Sequence, residues 1–501
     1  MRRWGLCLLG WIAASGLGSP ARAIEQVVLE LPLLNSSFSL SISELRSPEA
    51  LMAGNSDLAE LDRASSGAVG RVIEALSRNP VPLTLTHLAE DSIGSPLLEQ
   101  ALLVVSSLGE IEGRAPDLSG ETFKAALAAA TARSGDSQPT VLDLMEAIPG
   151  ERVRVNLSEA AVILKRMLAQ RQQADRLFAA GPASAPPQAT PSLAEARVRT
   201  LQLPVAHRAA PLDVVLVQPT GASNQRLVLI SHGLWDSPAN FEAWGRALAS
   251  HGYTVALPRH PGSDKQQQRL VLSGHAAPPK PAELALRVRD LKAITDALAA
   301  QQFSGVGRLN TDEVVVIGHS WGATTALQQA GLKPTAASLK RRCDDTDDPQ
   351  RNLSWTLQCS WLDGVAQADL SDPRVVAAAA VSPPMSLLFS EREMQTNIGR
   401  LLVVSGTHDW VVPPDPEALA PMRGAVGLGH QLVLAKGGDH FNLRPGTHPA
   451  GGVLTVLLLR WVDAVYQAGA GVRPAPGARA LLQQGDWGNP DIPLRDVSAQ
   501  L

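Results

Sequence analysis

A serine between two glycines is the residue of this chain whose setting best fits nucleophilic chemistry. Ser320 lies in the pentapeptide Gly-His-Ser-Trp-Gly, after the β-branched run "EVVVI" and before a helix-like segment. This context predicts a sharp strand-to-helix turn that exposes the serine hydroxyl. Side chains at Gly318 or Gly322 would collide with the neighbouring strand or helix. A solvated serine in a glycine-rich turn is the alternative.

Asp409 and His440 are the predicted partners of this serine. A serine hydroxyl needs a base to activate it, and the base needs an orienting carboxylate. In the order serine, acid, histidine, Asp409 follows the run "LLVVSGTH" and His440 follows "QLVLAKGGD", so each comes directly after its own predicted strand. The alternatives are Asp415 for the acid, His430 or His448 for the base, and Asp439 as a salt-bridge partner.

Two backbone N–H groups are predicted to stabilise the oxyanion that forms when a serine attacks a carbonyl. Trp321 directly follows the nucleophile and supplies one of them. The loop "SHGLWDSPANF" follows the strand "RLVLI"; its Gly233 permits close approach, and Leu234 is the predicted second donor. We assign His232 a structural role, and an ordinary turn at His232 and Gly233 is the alternative.

Tryptophans are concentrated near these loops. Because the rings are large and apolar, we predict an aromatic-lined acyl pocket at the catalytic edge, with packing in the protein core as the alternative. The five tryptophans next to the loops, or in the insertion beyond them, are Trp235, Trp321, Trp355, Trp361 and Trp410.

Residues 199–470 alternate short β-branched or aliphatic runs with helical segments. This alternation predicts an α/β domain with a doubly wound, mostly parallel sheet. Ligand sites in such sheets gather beyond the carboxyl ends of the strands, where the loops of Ser320, His232, Asp409 and His440 fall. The seven predicted strands are in "LDVVLVQP", "RLVLISHG", "YTVALPRH", "EVVVIGHS", "RVVAAAAVSPP", "RLLVVSGTHD" and "HQLVLAKGGDH".

The region before this domain has a different pattern. Apolar residues at spacings of three and four predict a smaller, mostly α-helical domain over residues 24–180. We expect it to act as an interaction domain or as a lid. A Pro-, Ala- and Ser-rich linker follows over 181–198, and residues 471–501 form a C-terminal tail. The predicted helices are in "GAVGRVIEALSR", "GSPLLEQALLVVSSLGEI", "GETFKAALAAATARS" and "LSEAAVILKRMLAQRQQADRLFA".

An insertion over about residues 331–371 separates the helix after Ser320 from the next strand. It carries Cys343 and Cys359, which we expect to form a disulfide, since the remaining cysteine, Cys7, lies in a predicted leader. Two buried free thiols are the alternative. A disulfide-pinned cap over the site is the predicted role of the insertion.

Residues 1–23 have the pattern of a secretory signal peptide: two arginines, a short apolar run and an Ala-Arg-Ala end. The apolar run is shorter than the roughly 20 residues of a membrane span. The net charge of −4 would become about −7 once the leader's three arginines are removed. That balance argues against nucleic-acid binding, and we expect a periplasmic or secreted protein without an integral membrane span.

The catalytic half resembles the α/β-hydrolase family that includes dienelactone hydrolases and secreted platelet-activating-factor acetylhydrolases. The nearest likeness is to exported hydrolases of photosynthetic bacteria with an N-terminal helical domain. The resemblance covers about residues 200–465 well and residues 24–180 more loosely. It implies the same roles for the catalytic and oxyanion residues named above. Dienelactone hydrolases tend to use cysteine, so the serine favours the esterase or acetylhydrolase side. Arg259 stands where the family usually has Asp. The segments that carry the likeness are "VLISHGLWDSPANFEAWGRALASHGYTVALPRHPGSD", "VVVIGHSWGATTAL", "LLVVSGTHDWVVP" and "GGDHFNL".

The sequence therefore predicts an exported serine hydrolase that cleaves carboxylic esters of small molecules or lipids, without a metal or organic cofactor. A peptidase or an acyltransferase could use the same three residues, and a non-catalytic binding protein on a hydrolase scaffold is a third reading. The pattern identifies no partner for the N-terminal region.

Overall fold

The chain forms two compact units in the computed structural model. The described residues up to Ser158 form the first unit, and those from Glu159 to Leu501 form the second. The predicted leader lies outside the described residues, as do half of the predicted linker and most of the predicted helices at 67–78 and 94–111. The structure describes residues 24–31, 36–67, 70–71, 109–112, 120–134, 139–148, 150, 152–183, 185–186, 195–272, 275–345, 348, 350–396, 399–446, 451–483 and 485–501.

A sheet of four strands in the order β2-β1-β4-β3 organises the described part of the first unit. β1 pairs antiparallel with β2 and parallel with β4, and β3 is antiparallel to β4. The strands are β1 (Gln26–Leu31), β2 (Ser36–Ser41), β3 (Gly109–Ile111) and β4 (Arg152–Asn156). The helices are α1 (Pro48–Ala53), α2 (Asp57–Ala64), α3 (Gly120–Ser134) and α4 (Val141–Ala147).

The described part of the first unit is thus mixed α/β, whereas the sequence predicted a mostly helical domain. α3 coincides with one predicted helix. The strands escaped prediction although β2 and β4 alternate apolar and polar residues, because each strand is at most six residues long and these two offer only two apolar positions each. The small core beneath them includes Ile42, Leu51 and Leu58.

In the described part of the second unit, nine strands form one sheet in the order β13-β12-β11-β10-β9-β7-β8-β6-β5. The six central strands, from β12 to β8, run parallel, and β13, β6 and β5 pair antiparallel at the edges. The strands are β5 (Ala196–Leu203), β6 (Leu212–Pro219), β7 (Arg226–Ser231), β8 (Thr254–Pro258), β9 (Asn310–His319), β10 (Val375–Val381), β11 (Arg400–Gly406), β12 (Gln431–Ala435) and β13 (Leu494–Asp496).

Helices cover both faces of this sheet. Val314 and Val316 of β9 belong to one core, whereas Val315 and Ile317 belong to the core on the other face. A strand buried on both faces explains the uninterrupted β-branched run in its sequence. The helices are α5 (Leu157–Ala180, which begins at the junction), α6 (Glu242–Ala249), α7 (Lys265–Leu272), α8 (Glu283–Ala299), α9 (Trp321–Gln329), α10 (Ala336–Asp344), α11 (Leu353–Cys359), α12 (Glu391–Thr396), α13 (Pro414–Glu417), α14 (Leu419–Arg423) and α15 (Thr455–Ala468).

The doubly wound, mostly parallel sheet and its seven predicted strands are confirmed, but the predicted domain boundaries are too narrow. β5 begins at Ala196, inside the predicted linker, and β13 lies in the predicted tail. Phe178 near the end of α5 is buried in the core of the second unit. β13 has only three residues and pairs through its backbone with β12, so no apolar period marked it. None of the helices in the described ranges has the length and apolar character needed to cross a membrane.

Close packing of α9 against the sheet fixes the strand-to-helix turn. A Cβ atom on Gly318 would lie 2.0 Å from the Gly322 carbonyl oxygen, and one on Gly322 would lie 2.0 Å from the Ser231 carbonyl oxygen in β7. Both distances are far inside van der Waals contact. The two glycines therefore let α9 approach β7 and β9 more closely than any other residue would allow.

We expect Gly322→Ala to lower the free energy of unfolding of the second unit by about 3 kcal/mol, because the added methyl must push α9 away from β7. Denaturant unfolding followed by tryptophan fluorescence measures this unit, since the eight tryptophans after residue 23 lie between Trp235 and Trp487. Gly307→Ala is the matched control, because a Cβ there meets nothing within 4 Å. Equal stability of the two variants would contradict the close approach.

Candidate active site

Three strand ends bring the predicted catalytic residues together. Ser320 follows β9, Asp409 lies in the loop after β11, and His440 lies in the loop after β12. These strands are parallel members of one sheet, so their carboxyl ends share an edge. Positions far apart in sequence therefore meet at that edge.

The imidazole of His440 joins the other two side chains by hydrogen bonds. A carboxylate can only accept, so His440 donates from Nδ1 to Asp409 Oδ2 at 3.0 Å. In the neutral form of this tautomer, Nε2 carries no proton and accepts from the Ser320 hydroxyl at 3.1 Å. All three side chains are buried. This arrangement allows the imidazole to take the serine proton while the carboxylate holds its tautomer.

Ser320 has the strained backbone expected for a nucleophile at a sharp strand-to-helix turn. Its φ is +54° and its ψ is −123°, outside the regions that residues other than glycine favour. Ser320 stands at the N-cap of α9, yet its hydroxyl makes no capping bond and instead donates to His440. The turn thus keeps the hydroxyl available for chemistry.

The loop after β11 fixes the carboxylate of Asp409. Its second oxygen, Oδ1, accepts the backbone N–H groups of Val411 at 3.0 Å and Val412 at 2.8 Å. Because both oxygens are engaged, the carboxylate cannot rotate away from His440.

The alternative acids and bases have other surroundings. Asp439 Oδ1 accepts two N–H groups of its own turn, from Phe441 and Asn442, both at 2.8 Å. His430 Nδ1 accepts the Leu401 N–H at 3.0 Å, and burial lowers its pKa to about 4. Asp415 lies in α13, and its burial raises the carboxyl pKa. His448 lies outside the described residues.

The two predicted oxyanion donors belong to segments that adjoin the serine. Trp321 is the first residue of α9, so its N–H has no acceptor within the helix. The loop after β7, residues 232–237, lies against Ser320: a Cβ on Gly233 would be 3.3 Å from the Ser320 Cβ. Leu234 follows Gly233 in this β7 loop, and its role as an oxyanion donor stays a prediction.

Two buried histidines hold the β7 loop. His232 accepts the His260 N–H at Nε2 (3.2 Å), so its proton is on Nδ1, which donates to the Gly233 carbonyl at 2.7 Å. His260 donates from Nδ1 to Asp290 at 2.8 Å and accepts the Ser231 hydroxyl at Nε2 at 3.0 Å. Burial, reinforced by Arg287, lowers the pKa of His260 to about 3 and that of His232 well below its usual value. Both rings are therefore neutral, as their hydrogen bonds require.

Asp290 is the buried anion at the centre of this network. Its carboxylate also accepts from His207 Nε2 at 2.7 Å and from Arg208 at 3.0 and 2.6 Å. Although burial opposes ionisation, these hydrogen bonds and that of His260 lower the pKa of Asp290 well below its usual range. Arg287 donates to the His232 carbonyl oxygen, so α8 contacts the β7 loop directly. The predicted structural role of His232 agrees with this environment.

Two further contacts connect the β7 loop and Ser320 with the loop of the base. Asp236 accepts from Arg444 Nη1 at 2.7 Å, and its other oxygen accepts the Ser237 N–H at 2.8 Å. His319 Nε2 donates to the His440 carbonyl oxygen at 2.9 Å, and the two rings lie 4.8 Å apart. Burial lowers the pKa of His319 well below its usual value, so this ring is neutral as well.

The predicted aromatic pocket stays a prediction, and three of its five tryptophans lie in the core. Trp321, Trp355 and Trp361 are almost fully buried in the core, where the rings of Trp321 and Trp361 lie 4.4 Å apart. Trp235 is partly buried and donates from its indole to Gln267 at 2.6 Å, whereas Trp410 is exposed.

The insertion contains the predicted disulfide. Cys343 of α10 and Cys359 of α11 are bonded, with Cα atoms 5.6 Å apart. Trp361 of this insertion contacts the residue after the nucleophile, as described above. The insertion thus packs behind the N-terminus of α9, and its role as a cap over the site stays a prediction. Within the described ranges, no group of three or more His, Cys, Asp or Glu side chains could hold a metal ion.

Sequence reasoning missed the network of α8. Its signal was present, since Glu283, Arg287 and Asp290 stand at helical spacing beside Leu284 and Leu291 on a face that should be apolar. Arg259, singled out for its departure from the family pattern, forms an ion pair with Asp213 at 3.0 Å. No spacing rule pointed to Phe441, which is exposed beside the base.

Comparison with known proteins agrees with this geometry. Residues 227–456, slightly less than half of the chain, match a family model described as the alpha/beta hydrolase family. The matched region begins in β7, ends in α15 and includes Ser320, Asp409 and His440. Together with the sheet, it identifies the α/β-hydrolase fold in the second unit and supports a hydrolase. No curated protein matches the chain.

We expect the second unit to lose stability as the pH falls below about 6.5, where an unfolded histidine takes up a proton. His260, with a folded pKa of about 3, stays neutral in the folded state, so between pH 6.5 and 5 it alone should cost about 2 kcal/mol. Denaturant unfolding at pH 7 and pH 5, followed by tryptophan fluorescence, measures this loss.

The matched variant for this test is His260→Gln, which removes the titrating group. It should be less stable than the wild type at pH 7, because Asp290 and Ser231 lose a partner. Its further loss between pH 7 and pH 5 should be smaller than that of the wild type by about 2 kcal/mol. The same pH dependence in both proteins would contradict a neutral buried His260.

Proposed function

We propose that this protein is a serine hydrolase that cleaves carboxylic esters through an acyl-enzyme intermediate. The observation that carries the proposal is the His440 imidazole, bonded to Ser320 at 3.1 Å and to Asp409 at 3.0 Å. The strained turn at Ser320 and the match with the alpha/beta hydrolase family support the same reaction class.

Each residue has a defined part in the reaction. The Ser320 oxygen attacks the ester carbonyl while His440 Nε2 takes the hydroxyl proton, and the N–H groups of Leu234 and Trp321 stabilise the oxyanion. Collapse of the tetrahedral intermediate breaks the bond to the alcohol, which receives the proton from His440. Water then attacks the acyl-enzyme by the same proton transfers and releases the carboxylic acid. Asp409 stabilises the charged imidazole in both halves.

The finer assignment is an exported esterase of the acetylhydrolase type, acting on small-molecule or lipid esters. The serine nucleophile supports this over dienelactone chemistry, and the leader pattern of residues 1–23 supports export. The Cys343–Cys359 disulfide fits an oxidising periplasmic or extracellular location. The mechanism requires neither a metal ion nor an organic cofactor.

We expect Ser320→Ala to lower kcat/KM for p-nitrophenyl acetate at least about a thousandfold, because the nucleophile is lost. Labelling with a fluorophosphonate, read by peptide mass, should mark Ser320 in the wild type and no serine in the variant. Ser231→Ala is the matched control, since Ser231 also bonds a histidine that bonds an aspartate, but it lies in β7 without the positive φ of Ser320. Labelling of Ser320 should persist in that variant.

The same assay separates the competing activities on these three residues. Comparable kcat/KM for p-nitroanilides and the corresponding p-nitrophenyl esters would replace the esterase by a peptidase. Transfer of the acyl group to an added alcohol in preference to water would indicate an acyltransferase. Folded wild-type protein that neither turns over esters nor reacts with the fluorophosphonate would contradict a serine hydrolase.

A further inference from the structure

Two aromatic rings are exposed at the catalytic edge. Trp410 is 52% exposed and Phe441 is 51% exposed, and their ring centroids are 6.3 Å apart. Elsewhere in the described ranges, the large exposed apolar side chains are aliphatic or methionine. These are Met52, Leu61, Met167, Leu168 and Leu270.

Both rings are positioned by the catalytic loops themselves. Trp410 directly follows Asp409, whose Oδ1 accepts the N–H groups of Val411 and Val412. Phe441 directly follows His440. The turn of Phe441 is fixed by Asp439, and its ring meets the His440 imidazole edge-on at 5.6 Å. Two preordered aromatic rings lose little side-chain entropy when a ligand covers them.

The chemistry of His440 decides which part of a substrate reaches these rings. Its Nε2 delivers the proton to the leaving alcohol, so the alcohol oxygen must lie within hydrogen-bond reach of this imidazole. The oxyanion donors come instead from the β7 loop and the start of α9. The group attached to the alcohol oxygen therefore departs on the side of Phe441.

We propose that Trp410 and Phe441 form an aromatic lip that binds an apolar alcohol half of the ester substrate, an inference that rests on the proposed function. Esters of alkyl or aryl alcohols fit this lip, because covering apolar surface on both partners favours binding in proportion to the area removed from water. The lip contributes while the alcohol is attached, and the acyl-enzyme no longer contacts it through the substrate. Trp410 and Phe441 are specificity-determining residues on this view.

The test compares two series of soluble esters with the wild type, Trp410→Ala and Phe441→Ala. In the first series the acyl group is acetyl and the alcohol grows from methanol to hexanol. In the second the alcohol is methanol and the acyl group grows from acetyl to hexanoyl. Proton release measures kcat/KM for each ester. Leu168→Ala is the matched control, since it truncates an exposed apolar residue on α5 of the same unit.

We expect each lip variant to lower the ratio of kcat/KM for hexyl over methyl acetate by about tenfold, with the acyl series unchanged. Deacylation of the acetyl-enzyme, common to all acetates and measured from the steady state after a p-nitrophenyl acetate burst, should stay the same. A general structural defect would slow deacylation and both series together. Leu168→Ala should leave both ratios unchanged.

Several results would overturn the lip. A change in the acyl series instead would assign the rings to the acyl half. A change seen only above the concentration at which the ester forms micelles would assign them to a lipid surface. A lower sedimentation coefficient of the lip variants would assign them to contact with a second copy. Active wild type with unchanged ratios overturns the lip alone, whereas wild type that hydrolyses neither series overturns the proposed function and the lip with it.

Discussion

The contact between Gly322 and the Ser231 carbonyl oxygen is the constraint on which the site depends. It presses the N-terminus of α9 onto β7, and this approach forces the backbone of Ser320 into its strained turn. The same Ser231 donates its hydroxyl to His260, which belongs to the network beneath the β7 loop. One residue therefore relates the position of the nucleophile to the position of the predicted oxyanion donor.

The buried network of Asp290, His260 and His232 fixes the conformation of the β7 loop. Loops usually move more than the strands that carry them, yet catalysis needs donors that are in place before the reaction begins. Here Asp290 on α8 orients His260, the His260 backbone orients His232, and His232 holds the Gly233 carbonyl. Burying these polar groups costs free energy, and each hydrogen bond of this network offsets part of that cost. The result is a β7 loop whose conformation is determined by a helix in the domain core.

Sequence reasoning was most successful where one physical rule dominates. The uninterrupted apolar runs predicted the central parallel strands, and the glycines around Ser320 predicted the strand-to-helix turn. Sequence reasoning was less successful where one residue pattern fits two structural environments equally well. Indole rings suit a pocket and a core equally well, so Trp355 and Trp361 could not be assigned from spacing. The short strand β13 is stabilised by backbone pairing with β12, which leaves almost no trace in residue type. The charges on α8 were visible, but their partners came from loops distant in sequence.

The network contains a second serine–histidine–aspartate array. Ser231, His260 and Asp290 are joined at 3.0 and 2.8 Å, against 3.1 and 3.0 Å for the predicted catalytic set. A template built from three side chains would find two active sites in this domain. The backbone separates them, because Ser231 ends a strand, whereas Ser320 has a positive φ at the N-terminus of α9. Shape searches for such sites therefore gain more from encoding main-chain torsion than from tighter side-chain tolerances.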